Sequence, residues 1–261
     1  MRKILIYMVL ILILILYLLY DMNKVNKVNK VNKVNKVNKV NKVLLLHFNS
    51  IKSRKILKYL KESNIDVIEY NPYNEYITTN KIKEYKTCNS LIISGSNPKL
   101  KTIEIPKIES DPFGKSFYRR VEQVIDLFQG SSKKILGICY GSQLLWHYYG
   151  GVTDYHQNLY GKRIGEHNKT IKIMKPVDKL FTRLPSNNSF NFYRNILLYP
   201  QSEMDKRVRI IGTDETIYNN KKYNNISAFR VNGSRIWGVI FHPESSLHGG
   251  GVRVFTNFLN A

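Results

Sequence analysis

The sequence predicts an α/β layered fold with a mainly parallel central sheet, on three observations. Short apolar, strand-like runs alternate with segments of helical periodicity through the first half of the globular region. One of those runs, Lys134 to Ile138, leads directly into a cysteine flanked by glycines, the pattern of a sharp strand-to-helix turn. Hydrophobic residues make up 43 % of the 261-residue chain, enough to bury a core and to exclude wholesale disorder. Two cysteines exclude a disulfide scaffold and a cysteine-rich zinc module.

In chain order, residues 1–22 read as a membrane anchor. After Arg2 and Lys3, the run from Ile4 to Tyr20 is unbroken and apolar. As a helix it spans about 25 Å, slightly short of a roughly 30 Å hydrocarbon core, with snorkelling flanks to cover the deficit. A cleaved signal peptide is the alternative, but bulky Leu18, Leu19 and Tyr20 stand where a small-x-small site belongs. Residues 23–43 repeat Asn-Lys-Val seven times, a period that fits neither helix nor strand and reads as a solvated linker. Its lysines outnumber the basic groups before the span, so the positive-inside rule predicts a single-pass membrane protein with residues 44–261 on the cytosolic side. The net charge of +22 falls to +14 without residues 1–43. Abundant Asn, Ile and Tyr beside Lys point to A/T-rich coding rather than to a nucleic-acid surface, and no basic cluster interleaves with aromatics.

The domain at 44–261 opens with Val43 to Phe48, an apolar run that reads as a buried strand. Residues 52–63 place Ile56, Leu57 and Leu60 at helical spacing, and Ile65 to Tyr70 form a second strand. Leu91 to Gly95 make a third, ending in a polar loop. Residues 116–129 carry Phe117, Val121, Val124, Ile125 and Phe128 on one helical face. Lys134 to Ile138 is a strand, and a helical pattern starts at Gly141. Residues 160–240 are richer in short β-like runs, among them 170–174, 207–211, 227–231 and 235–241.

The chemistry gathers in two motifs. The first is Gly137-Ile138-Cys139-Tyr140-Gly141-Ser142-Gln143. A cysteine on such a turn has glycines beside it because side chains there would clash. The helix that follows aims its N-terminal amides and positive dipole end at the sulfur, a setting that suits an anionic nucleophile. The Tyr140 amide can face the oxyanion that forms when a carbonyl is attacked. The alternative for Cys139 is a buried structural cysteine, which is how Cys88 reads. The second motif, His242-Pro243-Glu244, directly follows an apolar strand. Residues two apart in extended chain point to one side, so Glu244 can orient His242 while His242 takes the thiol proton. A strand-end loop with an incidental histidine is the alternative there.

Together the two motifs, in this order and about a hundred residues apart, resemble the class I (triad) glutamine amidotransferase family. The resemblance covers 44–261 and implies that family's flavodoxin-like layered fold. It implies a cysteine-dependent glutaminase in which Cys139 is nucleophile, His242 base and Glu244 the orienting acid. It further assigns Gln143 to seating the glutamine substrate, and an oxyanion-holding amide to Gly95. The Gly95 loop reads Ser94-Gly95-Ser96-Asn97-Pro98, with Ser96 in place of a second glycine, so a positive φ required there would strain it. In 189–200, Arg194 and Asn195 stand where the family's substrate-binding segment has His and Ser. The resemblance implies no metal and no cofactor, L-glutamine as substrate, and a separate synthetase subunit that accepts ammonia. The alternatives are a γ-glutamyl hydrolase or peptidase acting alone, and a catalytically silent, membrane-tethered binding module.

Overall fold

The computed structural model describes residues 41–96, 112–130, 132–155, 166–184, 188–193, 196–200, 206–247 and 249–261. The run from Ile4 to Tyr20 and the Asn-Lys-Val repeats up to Val40 lie outside them. Among the described residues no helix is long and apolar enough to cross a membrane.

Five strands form the parallel part of the sheet: β1 (Lys42–Phe48), β2 (Asp66–Tyr70), β3 (Ser90–Ser96), β4 (Lys134–Ile138) and β12 (Ile236–Val239). Their order is β2-β1-β3-β4-β12, and each pairs in parallel with its neighbour. Three antiparallel partners extend the sheet: β11 (Lys221–Val231), β10 (Val208–Tyr218) and the short β7 (Lys172–Ile173). The predicted mainly parallel α/β sheet is therefore present. Its inner parallel strands are buried on both faces, as strands covered by helices on each side must be, whereas β2 at the edge exposes Asp66 and Glu69. Val43, Leu44, Leu45, Leu46, Ile135, Leu136 and Ile138 are all fully buried.

The helices are α1 (Ile51–Glu62), α2 (Thr79–Lys86), α3 (Pro112–Phe128), α4 (Tyr140–Tyr148) and α5 (Gly250–Asn260). In α1, Ile56 and Leu60 face the core, and Ser50 caps the first turn in a reciprocal box with Ser53. The predicted face of α3 is buried: Phe117, Val121, Val124, Ile125 and Phe128 all belong to the core. Two small antiparallel ribbons complete the fold. One pairs β5 (Val152–Tyr155) with β9 (Ile196–Tyr199), the other β6 (Glu166–Thr170) with β8 (Ser189–Tyr193).

Three features differ from the sequence expectation. Strand β1 starts at Lys42, inside the last Asn-Lys-Val repeat, because Lys42 and Val43 pair with Asp66 and Val67 of β2. Helix α2 has no apolar periodicity to announce it, since Tyr85 is its one buried residue. Strands β10 and β11 run eleven residues each, well beyond the apolar runs at 207–211 and 227–231. Their additional inward positions are polar. Asp214, Thr216, Asn225 and Ser227 are buried in a hydrogen-bonded cluster that also takes the Lys169 ammonium, so no hydrophobic alternation marks them.

Candidate active site

Parallel neighbours end on the same side of a sheet, and three of them end here in the residues singled out from the sequence. β3 ends at Gly95 and Ser96, β4 runs into Cys139, and β12 leads through Ile240 and Phe241 to His242. The register Ile93↔Gly137 and Val239↔Ile138 makes these ends adjacent, and the Cys139 N–H continues the ladder to Val239 O at 2.8 Å. A crevice beyond the carboxyl ends of the strands is where open α/β sheets bind ligands.

Cys139 sits at φ +51°, ψ −104°, a conformation an L-residue adopts only when its surroundings hold it. The glycines on either side explain what holds it. A Cβ on Gly137 would lie 2.6 Å from Gly141 O, and one on Gly141 would lie 2.1 Å from Ile93 O. The turn is thus packed backbone-to-backbone against its own helix and against β3. Helix α4 starts at the next residue, so the Tyr140 N–H is free of intrahelical bonding at the helix's positive end. The Tyr140 ring is buried edge-on against Phe48, with centroids 5.1 Å apart, which fixes this first turn. Gln143, one turn on, is also buried.

His242 and Glu244 are almost wholly enclosed, at 3 % and 1 % exposure. His242 Nδ1 meets Glu244 Oε1 at 2.6 Å, and the imidazole stands beside the Cys139 side chain. Burial alone would lower the pKa of this imidazole; the negative charges of Cys139 and Glu244 and the Glu244 hydrogen bond outweigh it and raise the pKa to about 10. Glu244 Oε2 is buried with no hydrogen-bond partner among the described residues. The carboxylate therefore answers chiefly to His242. The main chain of His242 is fixed as well: its N–H donates to Asn191 O of β8 at 2.8 Å.

Gly95 closes the third side. A Cβ there would meet His242 Cε1 at 3.1 Å and Cys139 Cβ at 3.4 Å, so a side chain at this position would push the His242 ring aside by a few tenths of an ångström. Ser96 remains in β3, opposite Phe48, and is not among the residues with positive φ. The strain that a positive φ would have brought is absent at Ser96. Arg194 and Asn195 lie outside the described residues, as do Asn97 and Pro98.

The structure thus brings together Cys139, His242, Glu244, Gly95 and the Tyr140 amide. Sequence patterns missed Asn191, which acts through its carbonyl, and Ser50 and Ser94, whose hydroxyls both donate to Gly95 O. Main-chain partners carry no residue signature. Among the described residues no group of three or more His, Cys, Asp or Glu side chains is gathered as a metal-ligand set. Chemically, the arrangement sets a thiol, an imidazole whose proton is favoured and a carboxylate side by side next to a main-chain N–H.

Comparison with known proteins identifies the family. Residues 45–261 match the family described as Glutamine amidotransferase class-I. GMP synthase [glutamine-hydrolyzing] of Porphyromonas gingivalis is 30 % identical over 127 residues, which cover 48 % of this chain and 22 % of that enzyme. Anthranilate synthase component 2 of Methanothermobacter thermautotrophicus is 25 % identical over 130 residues, 49 % of this chain and 58 % of that protein. The alignments thus span about a fifth of that GMP synthase and little more than half of that component. In fold, the chain is similar to a protein of Thermoplasma acidophilum assigned as a GMP synthase subunit. That match has a TM-score of 0.63 at 17 % identity and covers 85 % of this chain and 94 % of that one.

The expectation of a single-pass membrane protein with residues 44–261 on the cytosolic side is corrected by these findings. What residues 45–261 match is a family of amidotransferase components, and no described helix spans a membrane. The seventeen apolar residues from Ile4 to Tyr20 fall short of the roughly 20 that a hydrocarbon core requires, so that run alone does not carry the assignment. By its two motifs, its sheet and a match from residue 45 to its last residue, the chain belongs to the class-I glutamine amidotransferase family.

Proposed function

We propose that the chain is a glutaminase that hydrolyses the side-chain amide of L-glutamine and delivers ammonia to a separate synthetase subunit. One observation carries this reading: a buried histidine, 2.6 Å from a buried glutamate, stands beside a cysteine on a strained, glycine-flanked strand-to-helix turn. A silent binding module would have no use for that arrangement.

The Cys139 sulfur attacks the carboxamide carbon, and the oxygen, now negative, is held by the amides of Gly95 and Tyr140. His242 gives its proton to the departing nitrogen. The C–N bond breaks, ammonia leaves, and a γ-glutamyl thioester remains on the sulfur. Neutral His242 then takes a proton from water as the water oxygen attacks the thioester carbon. Collapse of that intermediate expels the sulfur as thiolate, releases glutamate, and restores the protonated imidazole. Glu244 holds the ring in the one orientation that serves both halves. The partner is inferred from the relatives' names, anthranilate synthase component 2 and glutamine-hydrolysing GMP synthase.

The test incubates the full-length chain and its Cys139→Ala variant with L-glutamine and follows glutamate and ammonia. Release by the wild type and none above background from the variant is the expected result. Turnover by Cys139→Ala would remove the mechanism. A wild-type chain that neither hydrolyses glutamine nor is labelled at Cys139 by a glutamine-mimicking electrophile would remove the substrate.

A further inference from the structure

The Gly95 carbonyl is held in a way the triad does not require. Ser50, the N-cap of α1, is 2 % exposed, and its Oγ lies 3.0 Å from Gly95 O, forty-five residues away in sequence. Proton accounting in the capping box settles what this hydroxyl does. The Ser53 N–H donates to Ser50 Oγ at 3.0 Å, and the Ser50 N–H donates to Ser53 Oγ at 3.0 Å. Ser53 Oγ spends its own proton on Ser50 O at 2.7 Å. Ser50 Oγ also lies 3.0 Å from Ser53 Oγ, but that oxygen already accepts the Ser50 N–H and gives its own proton to Ser50 O, which leaves the Gly95 carbonyl as the unshared acceptor for the Ser50 proton. Ser94, fully buried, adds a second hydroxyl on the same oxygen at 3.1 Å. A carbonyl has two lone pairs, and both are engaged.

We infer that Ser50 is a positioning residue for acyl transfer at Cys139: its bond to the Gly95 carbonyl fixes the Gly95–Ser96 peptide and holds Gly95 against Cys139 and His242. A peptide is planar and trans, so pinning the Gly95 oxygen toward α1 sets the Ser96 N–H on the opposite side and fixes ψ of Gly95, whose own N–H lies one peptide earlier and is placed through the position of the Gly95 Cα. Gly95 has no side chain to wedge it in place, and a Cβ added to it would lie 3.1 Å from His242 Cε1 and 3.4 Å from Cys139 Cβ. Beyond the pairing of β3 with β1 and β4, these two hydroxyls hold its carbonyl. The same turn of α1 reaches the other wall of the site, where Lys52 Nζ donates to Ser245 Oγ at 2.9 Å, one residue beyond Glu244. The inference rests on the proposed Cys139 chemistry but not on glutamine as its substrate.

The experiment uses the full-length chain and two reagents. p-Nitrophenyl acetate acylates a nucleophilic cysteine through a tetrahedral oxyanion, releasing p-nitrophenolate; iodoacetamide alkylates the same sulfur by displacement at a saturated carbon, with no oxyanion. In Ser50→Ala, acylation of Cys139 is expected to fall about 100-fold while alkylation stays within about twofold. Ser50→Thr, which keeps the hydroxyl, restores acylation. Ser53→Ala breaks the capping box, lowers Tm and leaves acylation near wild type. Should Ser50→Ala not fold, Ser50→Asp carries the test, because aspartate caps a helix but has no proton to donate.

Unchanged acylation in Ser50→Ala, a fall in step with alkylation, or an equal loss in Ser53→Ala overturns the inference. So does a wild-type chain that p-nitrophenyl acetate does not acylate. Normal acylation behaviour without glutamine hydrolysis would refute the substrate proposed above and leave the role of Ser50 intact.

Discussion

His242 shows how far three side chains can move a proton. Enclosure penalises its charge, and the Cys139 and Glu244 charges more than compensate, so the ring keeps its proton up to about pH 10. In the proposed mechanism the protonated ring delivers ammonia, so kcat/KM should hold through neutral pH and fall as pH rises through about 10. Replacing Glu244 by Gln removes one of the charges that raise the pKa. The alkaline limb of a pH–rate profile should then move to lower pH, and the neutral-pH rate should drop roughly 10- to 100-fold. An unmoved limb would mean that Glu244 does not act on His242. This much was legible in the sequence, because the roles follow from residue type and short spacing: Cys139 between glycines, Glu244 two residues after His242. The Ser50 bond to Gly95 was not legible, since it joins a helix cap to a carbonyl across two strands.

The turn between β4 and α4 is the element on which the site depends. Its strain at Cys139, of order 1–3 kcal/mol, persists because neighbours leave the backbone no other path. Gly141 is the tightest point, and Gly141→Ala should either push α4 off β3 or displace Ile93. The expected loss is about 3 kcal/mol, read from the midpoint of urea unfolding. Gly249→Ala, where a Cβ meets nothing within 4 Å, should cost only the roughly 1 kcal/mol of placing alanine at a helix N-cap. Equal effects at the two sites would defeat the packing explanation. The glycines of this turn could be read from sequence because their reason is steric and local. Helix α2 and the outer halves of β10 and β11 could not. Their stability comes from one buried tyrosine and from a polar cluster around Asp214, and neither leaves a hydrophobic period.

At the scale of the molecule, function depends on strand order, which no short motif states. Cys139 and His242 lie about a hundred residues apart, yet β12 returns to pair in parallel with β4 and delivers His242 beside the cysteine. The alternation of strands and helices predicts such a sheet, but adjacency comes from which buried faces fit. Strand β1 is the strictest case, because it lies between β2 and β3 and supports the strand that ends at Gly95. Its residues Val43, Leu44, Leu45 and Leu46 are fully buried. At about 1.5–3 kcal/mol each, their loss would remove on the order of 6–12 kcal/mol, comparable with the roughly 5–15 kcal/mol that keeps a domain folded. A chain that begins at Asn41 keeps β1 whole and should unfold in one cooperative thermal transition with a native near-UV circular dichroism signal. A chain that begins at His47 lacks those four side chains and the ladder to both neighbours, and should show neither. Cooperative unfolding of the shorter chain would mean that the sheet closes without β1, and that the strand ending at Gly95 is held in place by contacts other than those of β1.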